Sequence, residues 1–176
     1  MHFFEHINGL FIFVKLIKML IYETGTQPSV QHEAYFYKKK IIMAEKGSKE
    51  DPWKLKTPPG SSEYEMFRDE KDGKKILVCT VGKTVLHYDH RCIKDLHAML
   101  KKHGDWMELG SADEQKPAKE ATVEAWGRAA SNPVGGWYGL KKGFRGRFGM
   151  YLPPLMEELG LAELEHQPKN NRMKAK

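Results

Sequence analysis

Two tight-turn signals constrain the fold of this chain more than any other feature: Asp72-Gly73 and Gly82-Lys83 each separate runs of strand-forming residues. An Asp-Gly pair tolerates the two positive φ angles of a two-residue hairpin turn, so the runs on either side of it pair antiparallel. Before the first turn, residues 63–68 alternate, with Tyr64, Met66 and Arg68 on one face and Glu63, Glu65 and Phe67 on the other. Between the turns, residues 76–81 (ILVCTV) are β-branched and apolar enough for a central strand. Residues 84–88 complete a three-stranded antiparallel meander. The rest of the compact region reads mainly as helix and loop, which makes the fold class α+β.

Asp89 offers a cap for a helix over residues 90–103, where Ile93, Leu96, His97 and Leu100 recur at steps of three and four and Gly104 supplies the stop. This helix is expected to lie across the sheet. A short apolar segment at 106–109 leads into the polar loop GSADEQKP (110–117), in which Ser111 or Asp113 serves as a turn or cap residue. Pro117 then opens a second helix that reaches about Ala130, buries Val123, Trp126 and Ala130, and ends at Asn132-Pro133. Gly143, Gly146 and Gly149 each cost a helix about 1 kcal/mol relative to alanine, so the third helix is expected only over residues 153–159, with Gly160 as its stop. Residues 161–166 return as a strand.

These elements define one compact domain over residues 61–166. Residues 43–60 read as an extended arm, because Pro58-Pro59-Gly60 opposes a helix, with Trp53 and Leu55 pinning it to the core. Residues 167–176 read as a frayed basic tail. Residues 1–42 have a different composition, opening with an apolar run at 10–22 (LFIFVKLIKMLIY) that holds Lys15 and Lys18 and falls short of the ~20 residues a bilayer span needs. It also lacks the basic lead and small-residue cleavage site of a secretory signal. We expect residues 1–42 to be an extension outside the domain, with Met43 as the true start. Lys38, Lys39 and Lys40 would be encoded by purine-rich codons where a bacterial ribosome-binding site would lie. With 40% apolar and 30% charged residues the chain should be soluble. Cys79 and Cys92, the only cysteines, form no CxxC pair, which argues against a disulfide framework or zinc ribbon and for a reducing, cytoplasmic setting.

The stretch 135–151 (GGWYGLKKGFRGRFGMY) carries the functional expectation. Lys141, Lys142, Arg145 and Arg147 alternate there with aromatic residues and six glycines, and no acidic residue interrupts them. Cations contact phosphates, aromatic faces stack on bases and glycines let backbone amides approach an anion, which is the composition of a nucleic-acid site. The candidate binding residues are Lys141, Lys142, Arg145, Arg147, Trp137, Tyr138 and Phe144, whereas Phe148 and Tyr151 fit as core anchors. The formal net charge of +6 favours acidic partners. It is also segregated: Glu157, Glu158, Glu163 and Glu165 follow the basic loop, and Lys169, Arg172, Lys174 and Lys176 follow them.

Other chemistry has less support. No G-x-x-x-x-G-K-[ST] phosphate loop is present. His87, Asp89 and His90, with Cys92 and His97 nearby, have metal-ligating side chains, but strand alternation sends His87 and Asp89 one way and His90 the other. Neither cysteine has an activating neighbour and no nucleophile elbow occurs, so no catalytic residue, metal or cofactor is assigned.

Reading WKLKTPPGSSEY, DLHAMLKKHGDW, GSADEQKP, NPVGGWYGLKKGFRGRFGMYLPP and MEELGLAELEH together, the chain from Pro52 to about Asn171 resembles a small uncharacterised prokaryotic protein family. That resemblance implies a compact unit beginning near Met43 and supplies no catalytic residues. The order of helices, glycine-bearing turn, helix and terminal strand is also similar to a winged helix. The function expected is a nucleic-acid-binding protein, of DNA or RNA, that grips backbone phosphates. The alternatives are a protein-interaction or self-association module using the aromatic patch, and a small hydrolase using His87; no membrane partner is expected.

Overall fold

The computed structural model describes residues 46–176; the apolar run at 10–22 and the alternative start at Met43 lie outside the described residues. Trp53–Lys56 (β1), Glu63–Lys71 (β2), Lys74–Val81 (β3) and Thr84–Asp89 (β4) form an antiparallel sheet in chain order. The turn between β2 and β3 is the one its residues demand, with φ of 52° at Asp72 and 71° at Gly73. The sheet has four strands instead of the expected three, because the arm supplies β1. Trp53 pairs with Met66 and Leu55 with Tyr64, both apolar side chains facing inward while Lys54 and Lys56 face out. The prolines mark the link to β2, where the Gly60 N–H donates to the Thr57 carbonyl (2.7 Å) and the Thr57 N–H to the Ser62 carbonyl (2.9 Å). An alternation of four residues is too short to stand out from the charged residues around it.

The next element is a helix, Cys92–His103 (α1). Asp89 holds the turn before it by accepting from the Arg91 N–H (2.9 Å), and Gly104, at φ 77°, closes it. Met107–Glu108 (β5) follows. The expected second helix shrinks to a single turn, Val123–Trp126 (α2), capped by the Thr122 hydroxyl, which accepts from the Ala125 N–H (3.2 Å). Its upstream half is spent on the loop from residue 110, and Ala121 at φ 54° breaks the helical path just before the cap. Asn132 does more than end this segment: buried, it donates to the Trp126 and Gly136 carbonyls and accepts from the Val134 N–H.

The last helix, Phe148–Glu158 (α3), starts five residues earlier than the sequence suggests and contains Pro153 and Pro154. Its start is stabilised from elsewhere in the chain: the buried Glu124 carboxylate accepts from the Gly149 N–H (2.7 Å), satisfying a first-turn donor. Ala162–Leu164 (β6) and Arg172–Ala175 (β7) complete the chain, and β7 lies between β5 and β6 in a second antiparallel sheet. The basic tail is therefore ordered over β7, with Met173 fully buried between Met107 and Leu164. The winged-helix order is not reproduced, since its second helix is one turn and a three-stranded sheet closes this half.

Helix α3 packs against β1, β6, α1 and α2, and α1 packs against α3 and β7. The core joins Tyr64, Met66, Leu77 and Leu86 of the first sheet to Leu96, Leu100, Leu152 and Leu155 of the helices. Each fully buried leucine contributes on the order of 1.5–3 kcal/mol. Tyr64 reaches across this contact, its hydroxyl donating to the Tyr151 carbonyl (2.8 Å) and its ring meeting the Tyr151 ring edge-on at 5.1 Å.

Candidate functional site

The basic loop leaves the core along the free edge of β4. The Asp89 N–H donates to the Tyr138 carbonyl (2.9 Å) and the Leu140 N–H to the His87 carbonyl (2.8 Å), with Gly139 bridging to Tyr88. Tyr138 is fully buried in this strap, stacked between Trp126 (5.3 Å) and Phe148 (5.5 Å) with its hydroxyl donating to Asp95 (2.9 Å). It offers no face to a base, which corrects its place among the stacking residues. The glycines also have a different use from the one expected. A Cβ on Gly139 would sit 2.5 Å from the Arg145 Cα, and one on Gly146 would sit 2.5 Å from the Glu114 nitrogen. Both admit the protein's own backbone at close range.

The two arginines are matched by the acidic doublet of the 110–117 loop. Arg145 donates to Glu114 from its backbone N–H (2.9 Å), Nε (2.8 Å) and Nη2 (2.6 Å), and Arg147 donates from Nε to Asp113 (2.6 Å). The Arg147 N–H donates to the Ala112 carbonyl (2.8 Å), so backbone and side chains clasp the two loops together. These arginines hold Asp113 and Glu114 below their ordinary carboxylate range, and Asp113 in turn raises Arg147. Arg128 fastens the clasp from behind. It pairs with buried Glu124 and donates to the Ala112 (2.8 Å) and Lys116 (2.9 Å) carbonyls. Burial pushes the Glu124 carboxyl up despite that partner. Trp137 is half-buried between two guanidinium groups, 4.5 Å from that of Arg128 and 4.7 Å from that of Arg145. Glu114, Glu124 and Arg128 were not singled out in the sequence, although an acidic pair inside an otherwise polar loop is the natural complement to two arginines.

Beyond the clasp the loop turns at its tip, where the Phe144 N–H donates to the Lys141 carbonyl (2.9 Å). Leu140 is 49% and Phe144 41% exposed, Lys141 lies 4.3 Å from the centre of the Phe144 ring, and Lys142 is exposed beside them. Among the described residues neither lysine has an ion-pair partner. His87 stands near Lys71 and Lys141; partial burial and these two cations lower its pKa. Arg145, which a hydrolase reading would combine with His87, is committed to Glu114 and Trp137.

A cleft of about 210 Å³ opens between the tip, the acidic loop and the β3–β4 hairpin. Val81, Leu86 and Phe144 give it apolar walls, and Asp113, Arg147 and Tyr151 line it with polar groups. Cys79 and Cys92 are free and fully buried, and burial raises both thiols, so neither is a nucleophile. Among the described residues no group of three or more His, Cys, Asp or Glu side chains is placed to hold a metal, and no helix is long and apolar enough to cross a membrane.

No curated protein and no solved structure matches the chain. One family model matches residues 45–176, every element from β1 to β7, and the chain therefore belongs to that family, a family of unknown function (DUF6855).

Proposed function

We propose that the protein binds nucleic acid through the tip of the basic loop, Lys141 and Lys142 contacting backbone phosphates and Phe144 stacking on a base. The observation that carries this reading is the tip itself: two cations without ion-pair partners among the described residues and an exposed aromatic ring, on a loop fixed by the β4 edge and by the clasp. Cations beside an exposed ring are the working parts of a single-strand site. Arg145 is a positioning residue in this reading, and Trp137 belongs to the frame it builds with Arg128. The two free, buried thiols suit a cytoplasmic setting.

Two phosphate contacts on a single strand give a slope of about −1.4 in log affinity against log salt, well short of what four cations would give. Fluorescence anisotropy with labelled single-stranded DNA and RNA across salt measures it. Lys141→Glu combined with Lys142→Glu should abolish binding. A slope near zero, or affinity indifferent to both substitutions, overturns the reading.

A second reading rests on Leu140 and Phe144, an exposed apolar pair on the same tip. A protein partner or second copy held there would bind with little salt dependence and be lost in Leu140→Asp, as sedimentation across salt would show.

A further inference from the structure

We propose that the cleft beside the tip receives one base of the bound strand, and that its polar groups favour guanine. The proposal rests on the nucleic-acid reading for its ligand, but on separate residues for its observation. Tyr151 is 8% exposed and lines the cleft, and among the described residues its hydroxyl has no hydrogen-bond partner. Its ring packs against Tyr64 in the core, so an unpartnered phenol contributes to the cleft wall. Arg147 lies at the same wall and uses only its Nε on Asp113, so its terminal nitrogens keep donors to spare. Asp113 is ionised and accepts that one bond at Oδ1, leaving Oδ2 as an acceptor with the Lys116 ammonium 3.7 Å away.

The size and walls of the cleft select the class of ligand. At about 210 Å³ it falls below the ~300–1,000 Å³ of sites for drug-sized molecules and suits one planar ring system. Val81, Leu86 and Phe144 present apolar surface to such a ring. Phe144 belongs to both the tip and the cleft, so a strand whose phosphates meet Lys141 and Lys142 brings a base to the opening. The polar groups then discriminate. A carboxylate takes donors only, whereas Arg147 and Tyr151 can donate, and the edge of guanine offers two adjacent donors beside a carbonyl acceptor. Adenine, cytosine and thymine each present at most one donor group on that edge.

The test compares oligo-dT strands carrying one central dG, dA or abasic position, by anisotropy at fixed salt on the full chain. The dG strand should bind about tenfold more tightly than the abasic one. Tyr151→Phe should reduce that preference several-fold while leaving the abasic strand unchanged. It keeps the ring contact with Tyr64 and the backbone acceptor, so the fold is retained. Thr84→Phe, an exposed position at the cleft, should obstruct the opening and erase the preference independently. Equal affinity for dG and abasic strands, with lysine dependence intact, overturns the cleft proposal and leaves the phosphate reading standing. A wild type that binds no strand overturns the phosphate reading, and NMR titration with guanosine and adenosine then decides the cleft alone. Guanosine-selective shifts that vanish in Tyr151→Phe support it, and equal or absent shifts overturn it.

Discussion

Arg128 joins more parts of this structure than any cation of the basic loop. Its guanidinium satisfies the buried Glu124 carboxylate and the Ala112, Asp113 and Lys116 carbonyls of the acidic loop, and lies over Trp137. Truncation strands a buried charge, and Arg128→Ala should cost about 3–5 kcal/mol in chemical denaturation. A loss under about 1 kcal/mol would show that the site relaxes around it. Asp113 and Glu114 are tested by pH. Their folded-state pKa values are depressed, so they add stability above the unfolded carboxylate value near 4 that is lost as pH falls through the folded values. The Asp113→Asn, Glu114→Gln double variant should therefore lose less Tm than the wild type between pH 6 and pH 3. The arginines were legible as cations, but their partners were not. Glu114 is 31 positions from Arg145, so composition offers the acidic doublet as a complement but cannot join it to a particular arginine so distant.

At the level of elements, legibility followed the range of the interactions that define each one. The β2–β3–β4 meander is fixed by local turn chemistry at Asp72-Gly73 and by strand alternation, and it could be read directly. Helix α3 could not, because the carboxylate that satisfies its first turn comes from Glu124, 25 positions away, and a glycine followed by two prolines locally argues for a break. α2 lost most of its expected length to the loop that meets the arginines. The close passage of the two clasped loops makes its own prediction. A Cβ on Gly146 would meet the backbone of residues 112–114, 2.5 Å from the Glu114 nitrogen and 2.7 Å from the Ala112 carbonyl oxygen, and backbone cannot swing aside. Gly146→Ala should destabilise by about 1–3 kcal/mol and loosen the Arg145–Glu114 contact, read by denaturation and by Trp137 fluorescence. An unchanged midpoint would mean the loops part without cost.

Over the whole molecule, the last residues close the second sheet. Because β7 is central, with Met173 fully buried, removing residues 172–176 leaves β5 and β6 without a common partner. The truncated chain should lose its cooperative thermal transition, and one that melts like the full chain would show that the second sheet is dispensable. The charges of this tail concealed the strand, since Lys and Arg at alternate positions read as a solvated end. The formal charge of +6 likewise says little about the site, because Arg145 and Arg147 are paired in place with Glu114 and Asp113, while the lysines at the tip have no ion-pair partner among the described residues. The clasp has a further consequence for how binding proceeds in time. A loop already held in position gives up its conformational freedom during folding, so capture of a partner requires no ordering step afterwards. Association in stopped flow should then be a single phase whose rate rises linearly with partner concentration, and breaking the clasp should slow arrival as well as hasten departure.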